Sequence, residues 1–167
     1  KSYLSATTMT SKNMILRPKI ALYEPDIPQN TAAIIRTCSC FDVMLEIIEP
    51  CGFMINDKRF KRVVMDYMDE KMIKFYKNYN DFFLTKKKDK SRIVLMTTKA
   101  SNSYSNFKFK TTDTILFGRE SAGVPEKIHK QVNKRLKIPL SLKKRSLNLA
   151  TSVAITLSES LRQNKLL

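Results

Sequence analysis

Three groups of polar side chains in this chain have types and spacings that could do chemistry. Asn30 is followed six positions on by Arg36; Gly118-Arg119-Glu120 follows the apolar run Thr114 to Phe117; and Arg145-Ser146-Leu147-Asn148 precedes a long helical pattern. Amides, a hydroxyl, a carboxylate and permanently charged guanidinium groups suit the positioning of a substrate and the stabilisation of developing charge better than covalent or metal catalysis. Other chemistries are excluded by what is missing. With only Gly52, Gly118 and Gly123, neither a GxGxxG dinucleotide loop nor a GxxxxGK phosphate loop can be written. His129 is the sole histidine and is expected on the surface of a basic helix, away from the polar groups, which disfavours Ser/His hydrolysis and His-rich metal sites. Cys38, Cys40 and Cys51 form no CxxC pair, so no zinc ribbon and no other metal site is expected.

Predicted elements give these groups a place. Strands are expected at Lys19 to Tyr23, Val43 to Ile48, Met72 to Tyr76, Arg92 to Thr97, Thr114 to Phe117 and Leu136 to Pro139. Helices are expected from Asn30 to about Phe41, Asp57 to Val64, Asn80 to Lys87, after Pro125, and Leu147 to Arg162. The alternation gives an α/β fold, a mainly parallel sheet flanked by helices. Two of the strands empty into Gly118-Arg119-Glu120 and into the run from Lys143 to Asn148, delivering polar groups to the edge where open α/β sheets bind ligands. Asn30 is expected to cap its helix. Six residues of helix turn through about 600°, so only a cap outside the regular helix would let Asn30 share a site with Arg36. Without the other groups, Arg36 would read equally well as a surface cation. In the last helix Leu147, Ala150, Val153, Ala154, Leu157 and Leu161 form an apolar stripe, most simply core, with part of it available to a subunit interface.

The 167 residues fit one domain, expected at 14–167, behind a flexible N-terminal extension at 1–13. Thirty-one Lys and Arg against fifteen Asp and Glu leave a formal charge of +16, which points to a polyanionic partner. The excess clusters at Lys58, Arg59, Lys61 and Arg62, at Lys86, Lys87, Lys88, Lys90 and Arg92, and over Lys127 to Arg145, where eight basic residues meet no acid. No apolar run approaches the roughly 20 residues of a membrane span, and no membrane partner is expected. Three cysteines, two of them two positions apart, argue for a reducing compartment. The expected location is cytoplasmic, with organellar import left open by the basic, Ser/Thr-rich first dozen residues.

Three motifs in order resemble the SPOUT superfamily of RNA methyltransferases, over roughly Pro18 to Arg162. They are Pro28-Gln29-Asn30-Thr31 through Arg36; Phe117-Gly118-Arg119-Glu120 with Gly123-Val124-Pro125; and Ile138-Pro139 followed by Arg145-Ser146-Leu147-Asn148-Leu149-Ala150-Thr151-Ser152-Val153-Ala154. The chain is most similar to the small tRNA (cytidine/uridine-2′-O)-methyltransferases that act at the wobble position. The resemblance implies a C-terminal trefoil knot gripping S-adenosyl-L-methionine, an exception to unknotted topology. It implies a cofactor lining of Met96, Thr97, Gly118, Ile138, Ser146 and Leu147, and catalytic or orienting roles for Arg36, Asn30, Glu120, Ser146 and Asn148. Arg36 would face the substrate, with Lys143, Lys144 and Arg145 also contacting RNA. A guanidinium is a poor general base alone but can hold a developing alkoxide or a phosphate, and both roles stay open. A homodimer acting on tRNA is the implied assembly. Ala32 in place of a common Gly, Arg119 in place of a common Pro, and the basic pair Lys143-Lys144 depart from the family pattern and bear on substrate identity. The alternatives are a ribosomal RNA 2′-O-methyltransferase of the same superfamily and a non-catalytic basic RNA-binding module.

Overall fold

In the computed structural model, residues 15–55, 58–67, 70–141 and 145–167 are described. The expected extension at 1–13 and the RNA-contacting assignments of Lys143 and Lys144 lie outside them. The elements run β1 Lys19–Tyr23, α1 Pro28–Cys40, β2 Leu45–Ile48, α2 Lys58–Tyr67, β3 Ile73–Tyr76, α3 Tyr79–Lys88, β4 Ile93–Met96, β5 Thr114–Phe117, α4 Glu126–Gln131, β6 Lys134–Leu136 and α5 Leu149–Gln163. Among the described residues no helix is long and apolar enough to cross a membrane.

The strands form one six-stranded, all-parallel sheet in the order β3-β2-β1-β5-β4-β6. Its strands alternate between two cores. Ile20, Leu22, Val94, Met96, Ile115 and Phe117 face one core with Ile34 and Ile35 of α1 and Val153, Leu157 and Leu161 of α5. Ala21, Tyr23, Ile93, Leu95 and Leu116 face the other with Phe82 of α3 and Ile128 of α4. Side chains of period two, apolar on both faces, are what a parallel strand covered by helices on each side requires. The stripe expected in the last helix is therefore core at Val153, Leu157 and Leu161, while Ala150 and Ala154 stay partly exposed.

Strand order reverses between β1 and β5: the chain winds outward through β2 and β3 on one side, and on the other β4 pairs with β5 and carries β6 at the edge. Such a switch point splays the connections apart and opens a crevice beyond the carboxyl ends of the strands. Asp26 and Asn30 follow β1 there, and Gly118 to Glu120 follow β5.

Several boundaries differ from the sequence expectation, each for a local reason. Val43 is not strand, because its N–H closes the end of α1 on the Cys38 carbonyl at 2.9 Å. β6 lies earlier than Leu136 to Pro139. Lys137 already pairs outside the sheet, donating to the Asn102 carbonyl and accepting from Tyr104 N–H, both at 2.9 Å, and Pro139 has no donor to offer a ladder. Asn30 does not cap α1. Pro28 takes the first helical position, which suits a residue lacking an N–H, so Ile27 is the cap and Asn30 lies inside the first turn.

The polyanion-facing cluster at Lys86 to Arg92 is also corrected. Lys86 is 1 % exposed and its Nζ lies 2.5 Å from a carboxylate oxygen of the equally buried Glu46. Tyr76 donates its hydroxyl to the same carboxylate at 3.1 Å. Burial pushes the Lys86 ammonium pKa down, and the Glu46 carboxylate opposes that shift. Arg92 is held by two bonds of 2.8 Å to the buried Asp113. Two of the five cations therefore brace the fold.

Candidate active site

The loop after β5 folds back on itself. Arg119 and Gly123 form an antiparallel bridge, with N–H to carbonyl distances of 3.2 and 2.9 Å, and Gly123 turns the chain at φ +66°. A Cβ on Gly118 would lie 2.6 Å from the Gly123 Cα and carbonyl carbon, so the backbone that Gly118 admits is that of its own loop. Arg119 ion-pairs with Glu24 and lies over the Tyr23 ring, 5.7 Å from its centroid, tying the loop to the end of β1.

Glu120 is thereby presented to the turn after β1, and the two segments clamp each other reciprocally. Asp26 N–H donates to Glu120 Oε2 at 3.0 Å, Glu120 N–H donates to Asp26 Oδ1 at 3.1 Å, and the Ser121 hydroxyl donates to Asp26 Oδ2. The other Glu120 oxygen accepts from Asn30 Nδ2 at 3.1 Å. Asn30 Oδ1 in turn accepts from Asn148 Nδ2 at 2.9 Å, and Asn148 Oδ1 caps α5 by accepting from the N–H groups of Ala150 and Thr151 at 2.9 and 3.3 Å. Each amide orientation is dictated by its neighbours, so a directed chain runs from the α5 N-terminus through Asn148 and Asn30 to Glu120.

The two carboxyl groups diverge in acidity. Burial raises the Glu120 pKa and the neighbouring Asp26 adds to the rise, with the Asn30 amide opposing. Asp26 is lowered, first by its bond to Glu120 and then by the Ser121 hydroxyl and the Glu120 N–H. Burial and the neighbouring carboxyl group thus shift the two members of the pair in opposite directions.

This network borders a cavity of about 620 Å³, within the range typical of small-molecule sites. Met96, Thr97, Gly118, Ile138, Ser146 and Leu147 all line it. So do Asn30, Glu120, Asn148 and Arg145. The structure thus gathers the second and third sequence groups and half of the first. Arg36 is not among the lining residues; it stands on the exposed side of α1, as the angular separation from an in-helix Asn30 requires. No group of three or more His, Cys, Asp or Glu able to hold a metal ion occurs among the described residues.

Two participants were missed by sequence reasoning. Asp26 had a signal, since it ends β1 in the turn Glu24-Pro25-Asp26-Ile27-Pro28, and the strand-end rule applied to β5 applies equally to its parallel neighbour. Gly52 shows how closely that turn is packed, because a Cβ there would lie 2.6 Å from the Asp26 Cβ. His129 corrects the surface expectation: it is 4 % exposed and forms part of the cavity wall. Burial lowers its pKa, with Glu126 opposing and Lys99 and Arg135 reinforcing the fall, so the imidazole is neutral at pH 7. Nothing in a helical pattern distinguishes an inward histidine in so short a helix.

Residues 17–158 match the family model described as the SpoU rRNA methylase family. A protein of Beijerinckia indica subsp. indica named tRNA (cytidine(34)-2′-O)-methyltransferase is 44 % identical over 144 residues, 86 % of this chain and 90 % of that one. A solved structure described by the words "2-OH methylation of C/U34 on tRNA" superposes with a TM-score of 0.81 at 30 % identity, covering 89 % of this chain and 97 % of the other. An AdoMet-bound rRNA methyltransferase from Sinorhizobium meliloti shares the fold, with a TM-score of 0.77 at 23 % identity over 87 % of this chain and 56 % of that one.

Proposed function

The chain belongs to the SpoU rRNA methylase family, and from that premise we propose that it transfers a methyl group from S-adenosyl-L-methionine to the ribose 2′-hydroxyl of the wobble nucleotide, position 34, of tRNA. The observation that carries this reading is the convergence of separate polar segments on one cavity at the sheet's switch point, lined by Gly118, Glu120, Ser146 and Asn148. Relatives of matching length, named for this reaction, supply the substrate class. The cavity suits the cofactor: Met96, Ile138 and Leu147 offer apolar walls for an adenosyl group, and a ligand without phosphates needs no glycine-rich cradle.

The cofactor supplies an electrophilic methyl on sulfur; the protein must place the 2′-oxygen in line with it and accept or release the hydroxyl proton. Met96, Thr97, Gly118, Ile138, Ser146 and Leu147 hold the donor side in this reading. Glu120, fixed by Asp26 and Asn30, presents a rigid carboxyl group at the cavity. Asn148 couples that geometry to the start of α5. Arg36, through its guanidinium group, stabilises the developing alkoxide or clamps the adjacent phosphate. Its position outside the cavity of its own chain supports a homodimer in which the partner subunit delivers it. The exposed Arg145, with Lys143 and Lys144, would contact RNA phosphates. A knotted C-terminal half belongs to the same proposal, on the ground of family membership. So does a cytoplasmic site of action, which three free cysteines fit.

Radiolabelled S-adenosyl-L-methionine incubated with unmodified tRNA, followed by nuclease digestion and mass spectrometry, tests the reaction. A 2′-O-methyl group at nucleotide 34 is expected. Methylation confined to ribosomal RNA would move the substrate assignment within the family, and tRNA binding without transfer would leave a non-catalytic RNA-binding module.

A further inference from the structure

A second cavity, of about 450 Å³, lies against the first. Its walls are the loop after β4, from Lys99 to Asn102, and the segment from the end of α4 into β6. Lys99, Lys130, Lys134 and Arg135 line it, all four are exposed, and no carboxylate is among its lining residues. Lys99 and His129 belong to the walls of both cavities, so the basic groove is continuous with the proposed cofactor site.

We propose that this groove docks the phosphodiester backbone of the substrate RNA, an inference that rests on the reading of the chain as a tRNA methyltransferase. The cations are carried on a braced frame. Ala100 N–H and Lys99 N–H bond back to Thr97, at 3.2 and 3.3 Å, and Lys137 N–H holds the Asn102 carbonyl at 2.9 Å on the opposite wall. The Asn133 side chain accepts the first N–H of β4 at 2.8 Å, fixing the floor between α4 and β6. Their charges act on common ground, since Lys99 and Arg135 both lower the pKa of His129 in the shared wall. Four like charges held around one concavity repel one another in the free protein, and a chain of phosphates relieves that repulsion while releasing its own counterions. A lipid surface fits less well. Among the described residues the exposed large apolar side chains, including Ile27, Met54, Phe75 and Leu84, are not among those lining the groove, so its lining offers little for a membrane to insert against. The groove also differs from the site at Arg145, which lines the first cavity and not the second. Flanking nucleotides would run along it when the target ribose occupies the first cavity.

The test compares tRNA affinity and its salt dependence in the full chain and three double variants. Lys130→Glu/Lys134→Glu should raise the tRNA dissociation constant on the order of tenfold or more, and Lys130→Gln/Lys134→Gln should shallow the plot of log affinity against log salt by about 2, roughly one per lost phosphate contact. Affinity for S-adenosylhomocysteine should not change. Lys87→Glu/Lys88→Glu, on exposed positions of α3, makes the same change in net charge away from the groove and should affect tRNA binding far less. Equal losses in the groove and α3 variants would overturn the proposal in favour of a diffuse field, and unchanged slopes would overturn it in favour of another face or a different acidic partner. If wild-type protein binds tRNA through the groove but methylates none, the groove stands and the enzymatic reading falls. Methylation with unaltered affinity across the variants reverses both conclusions.

Discussion

Two polar networks in the described residues, each built around a glutamate, have opposite consequences. Under α3, Glu46, Lys86 and Tyr76 form an enclosed cluster in which both ionic partners are 1 % exposed. At the strand ends, Asp26, Glu120, Asn30 and Asn148 form a directed chain bordering an open cavity. Glu46 lies within β2, where every neighbour is fixed by the sheet, and its charge can only be matched from inside. Glu120 lies one residue beyond Gly118 and Arg119 in a loop, where a carboxyl group can be both braced by protein and presented to a ligand. Position along the strand, more than residue type, separates a structural ion pair from a candidate catalytic group.

The enclosed cluster should dominate stability. Lys86→Ala leaves Glu46 buried without its counter-ion and should cost about 3–5 kcal/mol, read by denaturant titration, with turnover per folded molecule unchanged. A loss below about 1 kcal/mol would mean that water reaches Glu46 and that the contrast is weaker than drawn.

The proposed methyl-transfer site, which the open network borders and which Arg36 of the partner subunit would complete in the proposed homodimer, should show the reverse pattern. Arg36→Ala should slow methyl transfer by at least about 100-fold, equivalent to about 2.7 kcal/mol, while folding and cofactor affinity stay nearly constant. Lysine at that position should rescue incompletely, since one ammonium cannot reproduce the planar fork. Near-normal turnover on saturating tRNA would make the exposed arginine structural and shift the assignment to Ser146 and Asn148.

Asn148 joins the two kinds of role in one side chain. Asn148→Ala should lose about 1 kcal/mol of stability with the cap and also release Asn30. Asn148→Ser should keep most of the cap but not the donor to Asn30, so that its rate falls while its melting temperature holds. Equal behaviour of the two variants would show that the bond to Asn30 does not matter to the reaction.

The smallest effect is a pH dependence. His129 has a folded pKa below its ordinary 6.5, so the unfolded chain binds the proton more tightly. Its contribution is complete above about pH 6.5 and is lost as pH falls through the lower folded value. With a single histidine in the chain, His129→Gln should flatten the stability profile just below pH 6.5. An unchanged slope there would mean that carboxyl groups alone control it.

Much of this architecture was legible in the sequence because parallel strands buried on both faces appear as short apolar runs. Ile93–Met96 and Thr114–Phe117 are such runs, and they lie in the sheet interior. β6 was harder, since an edge strand can be Lys-Arg-Leu and leave the apolar Ile138 to line a cavity instead. The cavity-lining residues after β5 and before α5 were legible from strand-end position and motif. His129 was not, because its significance comes from burial in a six-residue helix; Asp26 carried a strand-end signal, but its partner comes from a reciprocal clamp across 94 residues of chain. Lys86 misled for a similar reason: a run of lysines does not reveal which one turns inward to meet a carboxylate 40 residues away.

Thermal unfolding with added S-adenosylhomocysteine tests most directly whether the open network frames a cofactor site. At about 100 times its dissociation constant the ligand should stabilise the protein by roughly 2.7 kcal/mol, and NAD or ATP at the same concentration should not. An unmoved melting temperature at millimolar S-adenosylhomocysteine and S-adenosyl-L-methionine would contradict the account.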